Sequence, residues 1–78
     1  MDLMELVGVR VRERRVHKGW SPYDLARESR VSQATIWRLE NGAKRRVDIG
    51  VVRRLALALG TSVDYLIGLY DLERSRQL

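Results

Sequence analysis

The stretch VSQATIWRLENG, residues 31–42, combines hydrogen-bonding side chains with a tryptophan at the spacing of a short helix. With about 100° of rotation per residue, Ile36 and Leu39 fall on one side of that helix and are expected to face a core. The side chains expected to point outward are Gln33, Ala34, Trp37, Arg38 and Asn41. Glutamine can pair with adenine and arginine with guanine, so this outward face has the chemistry to read base edges.

Trp37 has two interpretations at this stage. An exposed indole leaves a large apolar surface in water, so it is expected to meet either a ligand or another protein surface. In the first interpretation it enters a groove with its neighbours and contacts sugars or methyl groups. In the second it packs on the edge of a neighbouring helix or in a dimer interface. Periodicity alone does not choose between the two.

The net charge of +5 is concentrated in the middle of the chain. Residues 10–54 carry 13 of the 15 Lys and Arg residues and five of the ten Asp and Glu residues, a net charge of +8. Residues 1–9 carry −2 and residues 55–78 carry −1. A localised basic excess is typical of a surface that binds a polyanion, which indicates a nucleic-acid partner.

The composition argues against an enzyme and against a metal or cofactor site. There is no cysteine, and one histidine, His17, cannot form a metal site by itself. The loop GAKRR lacks the glycine spacing of a phosphate-binding loop. No apolar run approaches the roughly 18–20 residues of a membrane span, and the N-terminus is acidic, unlike a signal peptide. We therefore expect a cytoplasmic non-enzyme with no cofactor and no small-molecule site.

Five helices and no strand are predicted, which makes the fold class all-α. The predicted helices cover about residues 3–18, 22–29, 33–41, 49–59 and 63–69. N-cap side chains precede the later helices at Ser21, Ser32, Asp48 and Ser62, and glycines end three helices at Gly19, Gly42 and Gly60. An imperfect apolar stripe in the first helix is expected to be buried: Leu3, Leu6, Val7, Val11 and Val16. Residues 1–70 are assigned to one domain and residues 71–78 to a C-terminal tail.

Residues 7–69 resemble the Cro/repressor-type helix-turn-helix family, also called the xenobiotic-response-element type. The matching runs are, in order, VRVRERR, GWS, LARESRVSQATIWRLENG and VVRRLALALGTSVDYLIGL. The resemblance implies a compact, five-helix, lambda-repressor-like DNA-binding domain in which the second and third helices form the helix-turn-helix. It also implies that residues 33–41 form the recognition helix, which lies in the major groove.

The resemblance and the outward face of the third helix together indicate roles for single residues. Contacts to DNA bases are expected from Gln33, Ala34, Trp37 and Arg38. Contacts to DNA phosphates are expected from Ser32, Thr35, Asn41, Lys44, Arg45, Arg46 and Arg15. An internal ion pair is expected between Arg15 and Glu40. In this family phosphate contacts set the register on DNA, whereas base contacts carry the sequence preference.

Three positions depart from the family pattern, and one of them is Trp37, which is bulkier than expected on the recognition helix. Pro22 stands where many members have a glutamine that helps to orient the first recognition residue, so Gln33 lacks that support. Arg30 stands in the turn between the second and third helices, where glycine is usual. A non-glycine residue with positive φ costs on the order of 1 kcal/mol, so this turn is expected to be strained or to be compensated by a phosphate contact of Arg30.

The resulting hypothesis is a sequence-specific, double-stranded DNA-binding transcription regulator. We expect a bacterial or phage-encoded repressor, associated with the nucleoid, that binds a palindromic operator as a homodimer. The expected dimer surface is Leu57, Tyr65, Leu69, Tyr70 and Leu72, although these side chains could also simply cap the core. The alternative is an antitoxin or co-regulator that acts mainly as a protein-interaction module with a partner protein.

Overall fold

The computed structural model describes residues 1–69 and contains five helices in the predicted order. Their bounds are α1 Leu3–His17, α2 Pro22–Ser29, α3 Gln33–Glu40, α4 Ile49–Leu59 and α5 Val63–Leu66. The all-α prediction is confirmed, and the first four helices agree with their predicted bounds to within one residue. No helix within residues 1–69 has both the length and the apolar character needed to cross a membrane.

Local side-chain hydrogen bonds fix where the helices begin. At α2, the Ser21 hydroxyl accepts from the Asp24 backbone N–H, and the Asp24 carboxylate accepts from the Ser21 N–H. This reciprocal pair is a capping box, and Pro22 occupies the first helical position, where its missing N–H costs nothing. Asp48 caps α4 through the Gly50 N–H, and Ser62 caps α5 through the Tyr65 N–H.

The core draws side chains from every helix. The buried apolar residues are Val7, Val11, Leu25, Val31, Ile36, Leu39, Val52, Leu55, Ala56, Leu59 and Leu66. The sequence prediction that Ile36 and Leu39 face inward is therefore confirmed. Gly8 makes the packing of α1 on α3 possible, because a Cβ atom at this position would lie 1.9 Å from the Leu39 carbonyl oxygen.

Two parts of the predicted architecture are wrong. Leu3 and Val16 were expected in the buried stripe of α1, but both are exposed, because they lie at the two ends of a helix whose middle covers the core. The last helix was expected to reach about residue 69, but α5 ends at Leu66. Gly68 has a positive φ of 87° and approaches Leu6 so closely that a Cβ atom would lie 2.8 Å from the Leu6 Cδ2 atom. The chain therefore turns after α5 and packs back on α1.

The turn between α2 and α3 adopts the left-handed conformation that the sequence comparison with the family implied. Arg30 has φ 59° and ψ 29°, and it alone among the non-glycine residues of the described chain has a positive φ. Buried Ser29 stabilises the turn, since its hydroxyl donates to the Leu25 carbonyl and accepts from the Val31 N–H. These two hydrogen bonds join the last turn of α2 to Val31, two residues before α3 begins.

Three predictions fall outside the described residues. Tyr70 and Leu72, which were assigned to the dimer surface, belong to this part of the chain, and so does the tail assigned to residues 71–78. The domain boundary at residue 70 accordingly stays a prediction.

Candidate nucleic-acid interface

The outward face of α3 carries the side chains that the sequence analysis assigned to base contacts. Gln33, Ala34, Trp37 and Arg38 are all exposed, while Ile36 and Leu39 on the opposite face are buried. Trp37 is 59% exposed, so most of its side chain is open to solvent within residues 1–69. Both interpretations of its role, contact with a ligand and packing against protein, stay predictions.

The N-terminus of α3 is fixed by a hydroxyl pair. The Ser32 hydroxyl accepts from the Thr35 backbone N–H at 3.1 Å, and its oxygen lies 2.9 Å from the Thr35 hydroxyl oxygen. One of the two hydroxyls donates to the other, and the second hydroxyl hydrogen of the pair stays available to an acceptor outside the protein. Either Ser32 or Thr35 can therefore donate to a phosphate oxygen while the helix stays capped.

The basic loop Lys44–Arg46 lies next to this end of α3. Thr35, Lys44 and Arg46 line one shallow recess of about 340 Å³, together with residues at the start of α4. The two cationic side chains and the Thr35 hydroxyl therefore surround the same open volume. Such a recess with one sign of charge attracts an anionic group such as a phosphate.

A second, larger groove of about 800 Å³ separates the basic loop from the N-terminus of α1. It is lined on one side by Lys44, Arg45 and Arg46 and on the other by Asp2 and Glu5. The two carboxylates lower the positive potential on their side of the loop, so the attraction for polyanions is strongest on the side that faces α3. The position of these two acids opposite the basic loop was not predicted, and the one sequence signal for it is the charge of −2 on residues 1–9.

The expected ion pair between Arg15 and Glu40 is present and is two-pronged. Arg15 Nε donates to Glu40 Oε2 at 2.8 Å, and Arg15 Nη2 donates to Glu40 Oε1 at 2.7 Å. The third nitrogen, Nη1, donates to the Trp20 carbonyl at 2.8 Å. The hydrogen bond to Glu40 raises the pKa of the Arg15 guanidinium above its ordinary value. The pair ties the C-terminal end of α3 to α1 and to the loop before α2.

The same geometry bears on the expected phosphate contact of Arg15. Its side chain is only 11% exposed, and each of its three nitrogens already donates one hydrogen bond within the protein. A phosphate would meet a guanidinium whose fork already holds a carboxylate. Arg15 therefore positions α3, and its contact with a DNA phosphate stays a prediction.

Asn41 ends α3 and lies close to the exposed tryptophan. Its backbone N–H and its side-chain amide both donate to the Trp37 carbonyl, the latter at 2.8 Å. Gly42 follows with φ 72°, and the Ala43 N–H donates to the Arg38 carbonyl at 2.8 Å. These bonds turn the chain from the recognition face directly into the basic loop. One amide hydrogen of Asn41 stays free to contact a phosphate.

The residues proposed for the dimer surface have different surroundings. Leu57 is 67% exposed and borders a recess between α2 and α4 that also contains Arg30 and Arg54. Tyr65 is half-buried, because the Arg10 guanidinium lies 4.5 Å above its ring and donates to its carbonyl. Leu69 is exposed near the point where the chain packs back on α1. No sequence pattern indicated that the Arg10 guanidinium lies over the Tyr65 ring.

No group of His, Asp and Glu side chains within residues 1–69 has an arrangement that could hold a metal ion. His17 lies at the exposed end of α1, beside Arg12, Glu13 and Val16.

Comparisons with known proteins agree with this geometry. The family model for the helix-turn-helix matches residues 11–66, which include α2, α3 and the turn between them. A solved structure of the hypothetical transcription factor NHTF from Neisseria superposes with a TM-score of 0.80 and shares 27% sequence identity, over 99% of this chain and 86% of that one. A search of curated protein sequences returns no match. Because the family model covers more than half of the residues, the chain belongs to the helix-turn-helix family of the Cro/repressor type.

Proposed function

We propose that this protein is a transcription repressor that binds a palindromic DNA operator as a homodimer, with α3 in the major groove. DNA binding and transcription regulation follow from the family. One observation supports the placement of α3 in the groove: its exposed face adjoins the recess beside the basic loop. The exposed face consists of Gln33, Ala34, Trp37 and Arg38, and the recess is lined by Thr35, Lys44 and Arg46. One surface thus combines groups able to read bases with groups able to hold phosphates.

The dimensions of α3 support this placement. A helix with its side chains is about 10–12 Å across, and the major groove of B-DNA is about 12 Å wide. With its N-terminus pointing into the groove, Gln33 and Ala34 reach base edges first and Arg38 follows just over one turn later. The basic loop and Thr35 then lie beside the groove, where the phosphate backbone runs. The complex would work in the bacterial cytoplasm, on chromosomal or phage DNA.

A homodimer is proposed because one short recognition helix touches too few base pairs for high specificity. Two copies related by a two-fold axis read two half-sites about one helical turn apart, which doubles both the base contacts and the phosphate contacts. Exposed Leu57 and Leu69 supply apolar surface for the contact between copies. Lys44, Arg45 and Arg46 give three cations per protomer, and hence six for the dimer.

The experiment is selection of bound duplexes from a random pool, followed by titration of the best site. A palindromic motif is expected, with affinity that falls with a log–log salt slope of about −5, since six phosphate contacts contribute about −0.9 each. A single, non-repeated half-site would contradict the homodimer. No enrichment at all would contradict base reading and favour the alternative, an antitoxin or co-regulator that binds a partner protein.

Three alanine variants separate base reading from phosphate binding. Arg38→Ala is expected to relax the preference at one base pair by about 1–3 kcal/mol, whereas Arg46→Ala, which removes a cation from the recess beside Thr35, should weaken selected and random duplexes alike. Arg12→Ala removes the same charge from an exposed position on α1 that is not assigned to a DNA contact, and it serves as the control. Equal effects of Arg38→Ala on selected and random duplexes would rule out its base-reading role.

A further inference from the structure

The recognition face of α3 has an apolar centre between its polar groups. Trp37 stands three residues after Ala34 and four after Gln33, so the three side chains lie on one stripe of the helix. Long side chains in helices lean toward the N-terminus, over the residues three and four positions earlier. The indole is thereby directed toward the Ala34 methyl group and toward the end of the helix that enters the groove first.

This patch is exposed within residues 1–69, so packing among the five described helices does not explain it. The indole is 59% exposed, and its neighbour Ala34 is exposed as well. The hydrogen bonds near it all involve its backbone carbonyl, which accepts from Asn41, and none of them uses the ring. A large apolar side chain in the middle of a polar binding face is typical of a contact with an apolar ligand group.

The major groove offers one such group. Among the four bases, only thymine carries a methyl group there, at C5, and apolar side chains recognise it by direct contact. We infer that Trp37, together with Ala34, selects a 5-methylpyrimidine, normally thymine, at a position of the half-site next to the base pairs read by Gln33 and Arg38. This inference rests on the proposed function, and it makes Trp37 a specificity-determining residue and not only a neighbour of the helix that binds.

The geometry favours a methyl contact over stacking on a base. Bases in an intact duplex are stacked on one another, so their faces are closed to an indole and only their edges are presented in the groove. The small side chain of Ala34 leaves room for the floor of the groove to approach α3, whereas a larger residue there would hold it away. The polar groups of Gln33 and Arg38 on either side can still satisfy the donors and acceptors of neighbouring base pairs.

The test replaces single thymines by uracil in the duplex obtained by selection, because this change removes only the C5 methyl group. One thymine in each half-site is expected to be sensitive: its replacement should weaken binding about fourfold, the equivalent of the roughly 0.8 kcal/mol for one buried CH₂ group. Replacement of thymines outside the half-sites provides the duplex control. Fluorescence anisotropy of the labelled duplex measures each affinity.

The same duplexes are then titrated with protein variants. Trp37→Ala should bind more weakly and lose the difference between thymine and uracil, while Trp37→Phe, which keeps a flat apolar ring, should retain part of it. Val16→Ala removes apolar surface from an equally exposed residue on α1 and should keep the full fourfold difference. Because Trp37 and Val16 are both exposed, none of these three substitutions should alter the helical circular dichroism spectrum.

Three results would overturn the inference. The first is a selected half-site without thymine next to the base pairs read by Gln33 and Arg38. The second is a wild-type protein whose affinity does not change when any of the thymines is replaced by uracil. The third is a Trp37→Ala variant that keeps the full difference, which would assign the methyl contact to another residue. All three leave the operator and the proposed function intact. A pool that yields no operator at all would overturn both proposals together.

Discussion

The ion pair between Arg15 and Glu40 gives the sharpest prediction about stability. The side chains of Arg15 and Glu40 are 11% and 6% exposed, and two short hydrogen bonds join them. Removal of one partner from such a pair leaves a charge with little access to water, which costs about 3–5 kcal/mol when the site is fully buried. Since Arg15 keeps some exposure, we expect a cost of about 3 kcal/mol for Glu40→Gln.

Arg15→Met is expected to cost at least as much as Glu40→Gln. It removes both hydrogen bonds to the carboxylate and also leaves the Trp20 carbonyl without the Nη1 donor. A folded domain of this length has a free energy of unfolding of about 4–12 kcal/mol, so a loss of about 3 kcal/mol is a large part of the total. The double variant Arg15→Met/Glu40→Leu leaves no unpaired charge, and its cost should be smaller than the sum of the single costs by about 2 kcal/mol.

Urea titration monitored by circular dichroism measures these free energies, and urea is preferred to guanidinium because it carries no charge and does not screen the pair. Arg27→Met is the matched control, because its 3.4 Å contact with Asp24 lies on the surface and should contribute less than about 1 kcal/mol. Single costs below about 1 kcal/mol at low salt, or a double variant whose cost equals the sum, would refute the claim that this pair holds α3 against α1.

Three other predictions follow from single positions. Gly8→Ala should lower the free energy of unfolding by about 3 kcal/mol in the same urea assay, because the new Cβ atom meets the Leu39 carbonyl; a loss below about 1 kcal/mol would contradict the close packing of α1 on α3. Arg30→Gly should leave the free energy of unfolding unchanged or raise it by up to about 1 kcal/mol, because it relieves the strain of a φ of 59° but adds chain entropy to the unfolded state. A clear fall in the free energy of unfolding would mean that the arginine side chain stabilises the turn. The Ser21 N–H donates to the Asp24 carboxylate and holds the pKa of that carboxyl group below its ordinary value. The stability that the ionised carboxylate contributes is therefore fully present above the ordinary pKa, and it is lost as the pH falls through the lowered pKa. Thermal unfolding between pH 5 and pH 2.5 should therefore show a steeper loss for the wild type than for Asp24→Asn, and identical curves would contradict it.

Much of the fold could be predicted because its signals are local. N-cap hydroxyls, a proline at the first helical position and terminal glycines act within one turn of the chain, so they place the helix ends without knowledge of the tertiary structure. The inward face of α3 was also predictable, because the 3.6-residue period assigns Ile36 and Leu39 to one side. The same period assigned Leu3 and Val16 to the core, and it failed there because it says nothing about how far the partner helices extend along α1.

The candidate site was predictable to a different extent for each residue. The outward direction of Gln33, Trp37 and Arg38 follows from the helix period once the buried face is known. The double assignment of Arg15, to Glu40 and to phosphate, could not be resolved from the sequence. Both roles require the same residue type, and only the positions of the three guanidinium nitrogens show that the protein itself uses all of them.

The sequence by itself determined the number and order of the helices, the concentration of positive charge in residues 10–54 and the exposed direction of the tryptophan in VSQATIWRLENG. These properties depend on residue type and on spacings of a few residues. Only the tertiary structure decided that Lys44 and Arg46 lie with Thr35 around one recess. It also decided that Asp2 and Glu5 lie across the groove from the basic loop, and where α5 ends. Those relations join residues far apart in the chain, and their distances depend on how the helices pack and on the turns between them, which no local pattern encodes.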